Sequence, residues 1–149
     1  MAFAACRTAP TLGVIRLHCA MQQIAELVRQ VAAMLEGQWQ EITRTELECV
    51  DGNVSAAHPA CTSGSFIYVA YENQQVLYVG ETSKSVRRRF IGDGSGSHRQ
   101  KNTGWYPRTT HICFIKKTHE ELPEMERRLL EQALSIHLKP EFYSRPTKK

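Results

Sequence analysis

A chain of 149 residues is long enough to bury one core without metal or disulfide staples, so one compact domain is expected. With 42% hydrophobic and 23% charged residues the composition is globular, which excludes a disordered or fibrous chain. No apolar run approaches the roughly 20 residues of a membrane span, so a soluble, cytoplasmic protein without a membrane partner is expected, nucleoid-associated if it binds DNA. The formal net charge of +4 is unevenly spread: residues 1–63 carry four basic against six acidic side chains, net −2, and the remainder carries 15 against nine, net +6. Such an asymmetry suggests a polyanion as partner for the second half.

The first 20 residues mix small and apolar side chains with Arg7, Pro10 and Arg16, a poor secretory signal. They are expected to be a leader outside the fold, with Met21 as the alternative start. Cys6, Cys19, Cys49, Cys61 and Cys113 are odd in number and contain no CxxC pair, so free thiols in a reducing compartment are the plain reading. Residues 22–36 place Ile24, Leu27, Val28, Val31 and Leu35 at three- and four-residue spacings, which predicts an amphipathic helix stopped by Gly37. "WQEITRTELECV" suits either a strand or a short helix, and "DGNVSAAHPACTSG" reads as loop.

"SFIYVAYE" and "QVLYVGE", separated by Asn73 and Gln74, predict a β-hairpin with Tyr68 and Tyr78 on one face. "SKSVRRRFI" follows as a short helix capped by Ser83 or Ser85, with Val86 and Phe90 inward. The Gly-rich, basic stretch "GDGSGSHRQKNTGWYPR" reads as a mobile loop touching a nucleic-acid backbone, with His98, Arg99, Lys101, Trp105 and Arg108 as candidate contacts. "TTHICFIKK" predicts a third strand. A last helix runs from near Pro123 to before Pro140, apolar along Met125, Leu129, Ala133 and Ile136 and along Leu130, Leu134 and Leu138, and so is expected to be buried over a wide arc. The elements together predict an α+β fold: a small three-stranded, mainly antiparallel sheet flanked by α-helices. Residues 1–63 would form a leader and an amphipathic helix packing on or extending the core, and residues 64–149 the core itself.

On a helix, Arg87, Arg88 and Arg89 point about 100° apart and cannot all meet one partner. With Val86 and Phe90 inward, Arg89 lies next to the inner edge, while Arg87 and Arg88 turn toward water or backbone phosphates. A guanidinium beside tyrosine hydroxyls suits a phosphodiester, because its fork matches phosphate oxygens and keeps its charge at any working pH. The plainer alternatives are that Tyr68 and Tyr78 are sheet-core aromatics and that Glu131 forms a surface ion pair with Arg127, one turn earlier.

The stretch "FIYVAYENQQVLYVGETSKSVRRRF" resembles the GIY-YIG nuclease family. "FIY" stands for the first triplet and "YVG" for the second; Thr82, Val86 and Arg89 follow at the family's spacing, with Arg88 the alternative if the turn is read shorter. "EQALSIHLKPEF" matches the family's glutamate followed by a lysine-proline pair, giving Glu131. The sequence departs from the pattern at Phe66, at Asp93 where a histidine is common and for which His98 is the substitute, and at Tyr143 and Ser144 where an asparagine is frequent. The resemblance implies a metal-dependent endonuclease that hydrolyses phosphodiester bonds of nucleic acid, most simply DNA. It implies Tyr68, Tyr78, Arg89 and Glu131 as catalytic residues, and Mg²⁺ (or another divalent cation such as Mn²⁺) on Glu131. Gly80, Lys84, Arg87 and Arg88 join the loop residues as candidate nucleic-acid contacts. Specificity would come from loops, from a homodimer or from a partner chain. The alternative is a non-catalytic nucleic-acid-binding module of a larger assembly.

Overall fold

The structure, a computed structural model, describes Gln22, Glu26 and residues 37–49, 57–92, 96–101 and 103–143. The expected leader and most of the amphipathic stretch 22–36 lie outside the described residues, though Gln22 and Glu26 are helical. Among the described residues the elements are β1 (Gln40–Thr43), α1 (Arg44–Glu48), β2 (Ser65–Glu72), β3 (Gln75–Thr82), α2 (Val86–Ile91), β4 (His111–Lys117) and α3 (Glu124–Leu138). Two 3-10 turns occur at Pro59–Cys61 and Tyr106–Arg108. The fold is α+β. No helix among the described residues is long and apolar enough to cross a membrane.

The sheet has four antiparallel strands in the order β1-β4-β2-β3, which corrects the three expected from sequence. The extra strand is β1, paired with β4 from Gln40 opposite Phe114 to Thr43 opposite His111. It escapes the hydrophobic pattern because Ile42 is its one inward apolar residue among polar neighbours. Immediately after it the chain turns helical at a capping box. The Thr43 side chain accepts from the Glu46 amide, and the Glu46 carboxylate accepts from the Thr43 amide, satisfying two donors that helix formation leaves over. The segment left open as strand or helix is therefore both in succession. Part of residues 1–63 thus extends the sheet.

The hairpin forms where expected. Asn73 at φ 54° takes the left-handed conformation that its two-residue loop requires and that asparagine tolerates. A bulge between Ala70 and Tyr71 leaves Leu77 without an opposite number, so Leu77 and Tyr78 both reach the same core. That core contains Phe66, Tyr68, Ala70, Ile112 and Phe114 from the sheet. It is covered by Leu47 of α1, by Val86, Phe90 and Ile91 of α2, and by Trp105 and Tyr106. Ser85 caps α2 by accepting from the Arg88 amide, which settles the choice between the two serines.

The opposite face carries Ile67, Val69 and Val79 under Leu134 of α3, with Leu122, Leu130, Leu138 and Trp39 completing a second core. Here the wide burial arc expected of α3 is corrected. Met125, Leu129 and Ile136 are 71%, 58% and 62% exposed, on the side away from the sheet, and the inward side instead buries Arg127. After α3, Lys139 turns left-handed at φ 49°. The chain then lies along β3, the Glu141 and Phe142 amides donating to the Val76 and Leu77 carbonyls.

Candidate active site

Tyr68 on β2 and Gly80 on β3 are direct cross-strand partners, and Tyr78 opposes Ala70 two positions along. The two phenol rings therefore stand on one face, 6.2 Å apart. The Tyr68 ring lies flat over Gly80: a Cβ there would come within 2.4 Å of the hydroxyl. The glycine of "YVG" is thus required by close approach, since its backbone has no positive φ. Tyr78 stacks on Trp105 at 4.4 Å and nearly parallel.

His98 occupies the middle of the site. The described part of the glycine-rich stretch, expected to be mobile, is bound back onto α2: the His98 amide donates to the Arg89 carbonyl and the Arg99 amide to that of Phe90. This return delivers the imidazole into a cage of Tyr68, Tyr78, Phe90 and Trp105 rings. There its Nε2 lies 2.6 Å from the Tyr68 hydroxyl. Burial, with Arg89 and Lys101 nearby, pushes its pKa down to about 3, so it is neutral at working pH. With Nδ1 protonated, Nε2 accepts the Tyr68 proton.

Of the three arginines, Arg88 is exposed, whereas Arg89 is half-buried and donates through Nη1 to the Gly96 carbonyl at 2.7 Å. Its buried Nε has no hydrogen-bond partner among the described residues, a donor that a native interior rarely leaves unused. Burial opposes its charge, but the neighbouring Tyr68, Tyr78 and Glu81 more than offset this and keep it a cation. Burial raises the Tyr68 phenol well above its ordinary value, with Tyr78 adding to the rise and Arg89 opposing it. Glu131, on α3, is half-buried and close enough to Tyr68 to add to that rise.

Arg127 ties α3 to the sheet one turn before Glu131. It is 5% exposed, ion-paired through Nε with Glu81 of β3, and donates from Nη1 to Ser65 Oγ, which itself donates to the Leu122 carbonyl. The surface pairing expected for Arg127 is replaced by this buried latch. Nothing in its spacing distinguishes it from an ordinary helix arginine; the signal that could have found it is Glu81, a carboxylate on an inward-facing position of a strand.

The structure brings Tyr68, Tyr78, Arg89 and His98 together, leaves Glu131 on α3 within electrostatic reach of Tyr68, and disperses the rest. Gly80 is buried beneath Tyr68; Trp105, only 3% exposed, has no surface for a nucleic acid. Arg108 is held by Glu72 at 2.9 Å and Glu141 at 2.7 Å, with its guanidinium over the Phe142 ring. Lys84, Arg88, Arg99 and Lys101 are exposed and Arg87 half-buried, all available to a polyanion. Among the described residues no group of three His, Cys, Asp or Glu side chains could hold a metal. A single carboxylate is a donor set that fits a hard, largely hydrated cation such as Mg²⁺ and does not fit a closed zinc site.

No protein-family model, curated protein or solved structure matches this chain.

Proposed function

We propose that the chain is a metal-dependent endonuclease that hydrolyses nucleic-acid phosphodiester bonds, DNA being the first candidate, in the manner of the GIY-YIG nucleases that its sequence resembles. The supporting observation is convergence: Tyr68 and Tyr78 from the sheet, Arg89 from α2 and His98 from the returning loop gather at one place, with Glu131 of α3 within electrostatic reach of Tyr68. Bound to Glu131 and its own waters, Mg²⁺ or Mn²⁺ would neutralise charge at the phosphate and leaving oxygen.

The protein's part follows from the geometry. Arg89 releases the Gly96 carbonyl and turns its donors, including the orphaned Nε, onto the phosphate, where they stabilise the extra negative charge of the transition state. Tyr78, rigidly stacked, positions a phosphate oxygen. Tyr68 cannot ionise by itself at neutral pH, so it works as a relay. The attacking water gives a proton to the Tyr68 oxygen while the Tyr68 proton passes to His98 Nε2. The water oxygen bonds to phosphorus and the bond from phosphorus to the 3′ oxygen breaks. Phosphate charge beside Arg89 offsets one cation that holds the His98 pKa down, which helps the imidazole accept.

One observation favours the alternative, a non-catalytic nucleic-acid-binding module: Tyr68, Tyr78 and His98 are 0%, 5% and 3% exposed, as buried as Trp105 and as purely structural core residues would be. Plasmid and single-stranded DNA, each incubated with Mg²⁺ or with EDTA, separate the two. Metal-dependent nicking that disappears in Glu131→Ala, Arg89→Ala and His98→Ala is the expected result. Binding without cleavage by the unaltered protein would leave the module.

A further inference from the structure

Arg89 has a second side. Beyond it, between the turn after β3 and the first turn of α3, opens a cavity of about 530 Å³. Its carboxylates are already engaged, Glu81 by Arg127 and Glu124 by Arg128 at 2.5 Å. Lys84, Arg89 and His119 also line it, and none of them has an ion pair with a carboxylate among the described residues. Four permanent cations thus stand against two carboxylates around one space. Helix α3 adds to the same polarity. It starts at Pro123 with no side-chain cap, and its dipole adds positive polarity that the first-turn Glu124 and Glu126 offset only in part.

A buried structural network would satisfy such charges; an open cavity with surplus cations suits an anion. Its volume is within the range of roughly 300–1,000 Å³ typical of small-ligand sites, large enough for a nucleotide unit as well as a lone phosphate. Arg128 and Glu124 are largely exposed, and a surface pair of this kind contributes little to stability, so Arg128 can exchange its partner for a phosphate at little cost. Because Arg89 forms the wall shared with the tyrosine site, whatever anion lies here is the neighbour of the one held by Tyr68 and Arg89.

We infer that this cavity is an anion subsite, made by Lys84, His119, Arg128 and the start of α3, that takes the phosphate of the nucleotide adjoining the bond to be cut. Its identity as a nucleic-acid subsite rests on the proposed function. Its capacity for phosphate does not.

The test compares the full chain with a His119→Ala/Arg128→Ala double variant, both positions being exposed. Inorganic pyrophosphate is titrated into both proteins by calorimetry, and into the unaltered chain while the His119 ring resonances are followed by NMR. In parallel, a short fluorescein-labelled DNA single strand is titrated in EDTA at several salt concentrations. The subsite predicts that pyrophosphate shifts the His119 resonances in the unaltered chain. In the double variant pyrophosphate affinity falls about tenfold, DNA binds about tenfold more weakly, and the slope of log affinity against log salt falls by about 1. Unmoved His119 resonances, with DNA bound equally by both proteins, would overturn the subsite and leave the nuclease reading intact. Pyrophosphate binding that the double variant loses, with no DNA binding by the unaltered chain, would uphold the subsite for phosphate and overturn the nuclease reading.

Discussion

A methyl group at position 80 would sit 2.4 Å from the Tyr68 hydroxyl and 2.7 Å from the Tyr78 ring, so neither phenol could stay where His98 meets it. Gly80→Ala is therefore expected to lower stability by about 1–3 kcal/mol, as overpacking does, and to break the hydrogen bond from Tyr68 to His98. Urea unfolding measures the first effect and a shift of the His98 ring resonances the second. Sequence conveyed that this glycine belongs to a motif, but not that its lack of a side chain makes the floor beneath a tyrosine. His98 was harder to read. Thirty positions separate it from Tyr68, and no periodicity links a loop histidine to a strand partner. Its place in a basic, glycine-rich stretch suggested a phosphate contact, and the resemblance a stand-in for the family's histidine; in the fold it is neutral and enclosed by aromatic rings.

Elements were legible where pattern and punctuation agreed. The hairpin, α2 and β4 all follow from alternation, a serine cap and flanking turn residues, and α3 from its two prolines. The join of β1 to α1 was legible only through "TRTE", the capping-box signature at Thr43 and Glu46, since a four-residue strand is too short to show a period. For α3, helical spacing revealed two apolar ridges but could not say which one the sheet would take. The sheet chose the Leu130, Leu134 and Leu138 side, because there Arg127 reaches Glu81 and Ser65. Removing one member of that pair strands the other. Glu81→Gln is expected to cost about 3 kcal/mol, since it leaves a guanidinium buried without its counter-charge. Arg127→Met costs less, because Glu81 keeps 21% of its side chain exposed to water. The double variant Glu81→Leu/Arg127→Met recovers much of the loss. A double-mutant cycle from urea unfolding measures the coupling.

For the molecule as a whole, buried ionisable groups set the pH range of the fold. An unfolded histidine takes a proton near 6.5, but folded His98 does so only at about 3. Between these values the unfolded state binds more protons, so the contribution of neutral His98 is full above pH 6.5 and is lost as pH falls toward 3, at most about 5 kcal/mol. Glu46, Glu121 and Glu141 are held below their ordinary value by hydrogen bonds from Thr43, Thr118 and Arg108, and add a loss below about 4.5. At the alkaline end burial raises Tyr68, and also Tyr71 and Tyr106. Folded phenols then stay protonated where unfolded ones ionise, and stability falls above about pH 10. Burial raises the Cys113 thiol as well, so the alkaline decline begins at about pH 8.5, where an unfolded thiol ionises, and steepens above about 10. A plateau from about pH 7 to 8.5 is expected in urea unfolding, and His98→Gln should flatten the limb between 6.5 and 4.5 while leaving the alkaline limb in place. The returning segment after α3 acts at this same scale. A strand at the border of a sheet offers unpaired carbonyls and amides to any passing chain, a usual route to intermolecular ladders and aggregation. Glu141 and Phe142 occupy the Val76 and Leu77 carbonyls of β3, so along that stretch a second copy finds no ladder to extend, even in a crowded solution.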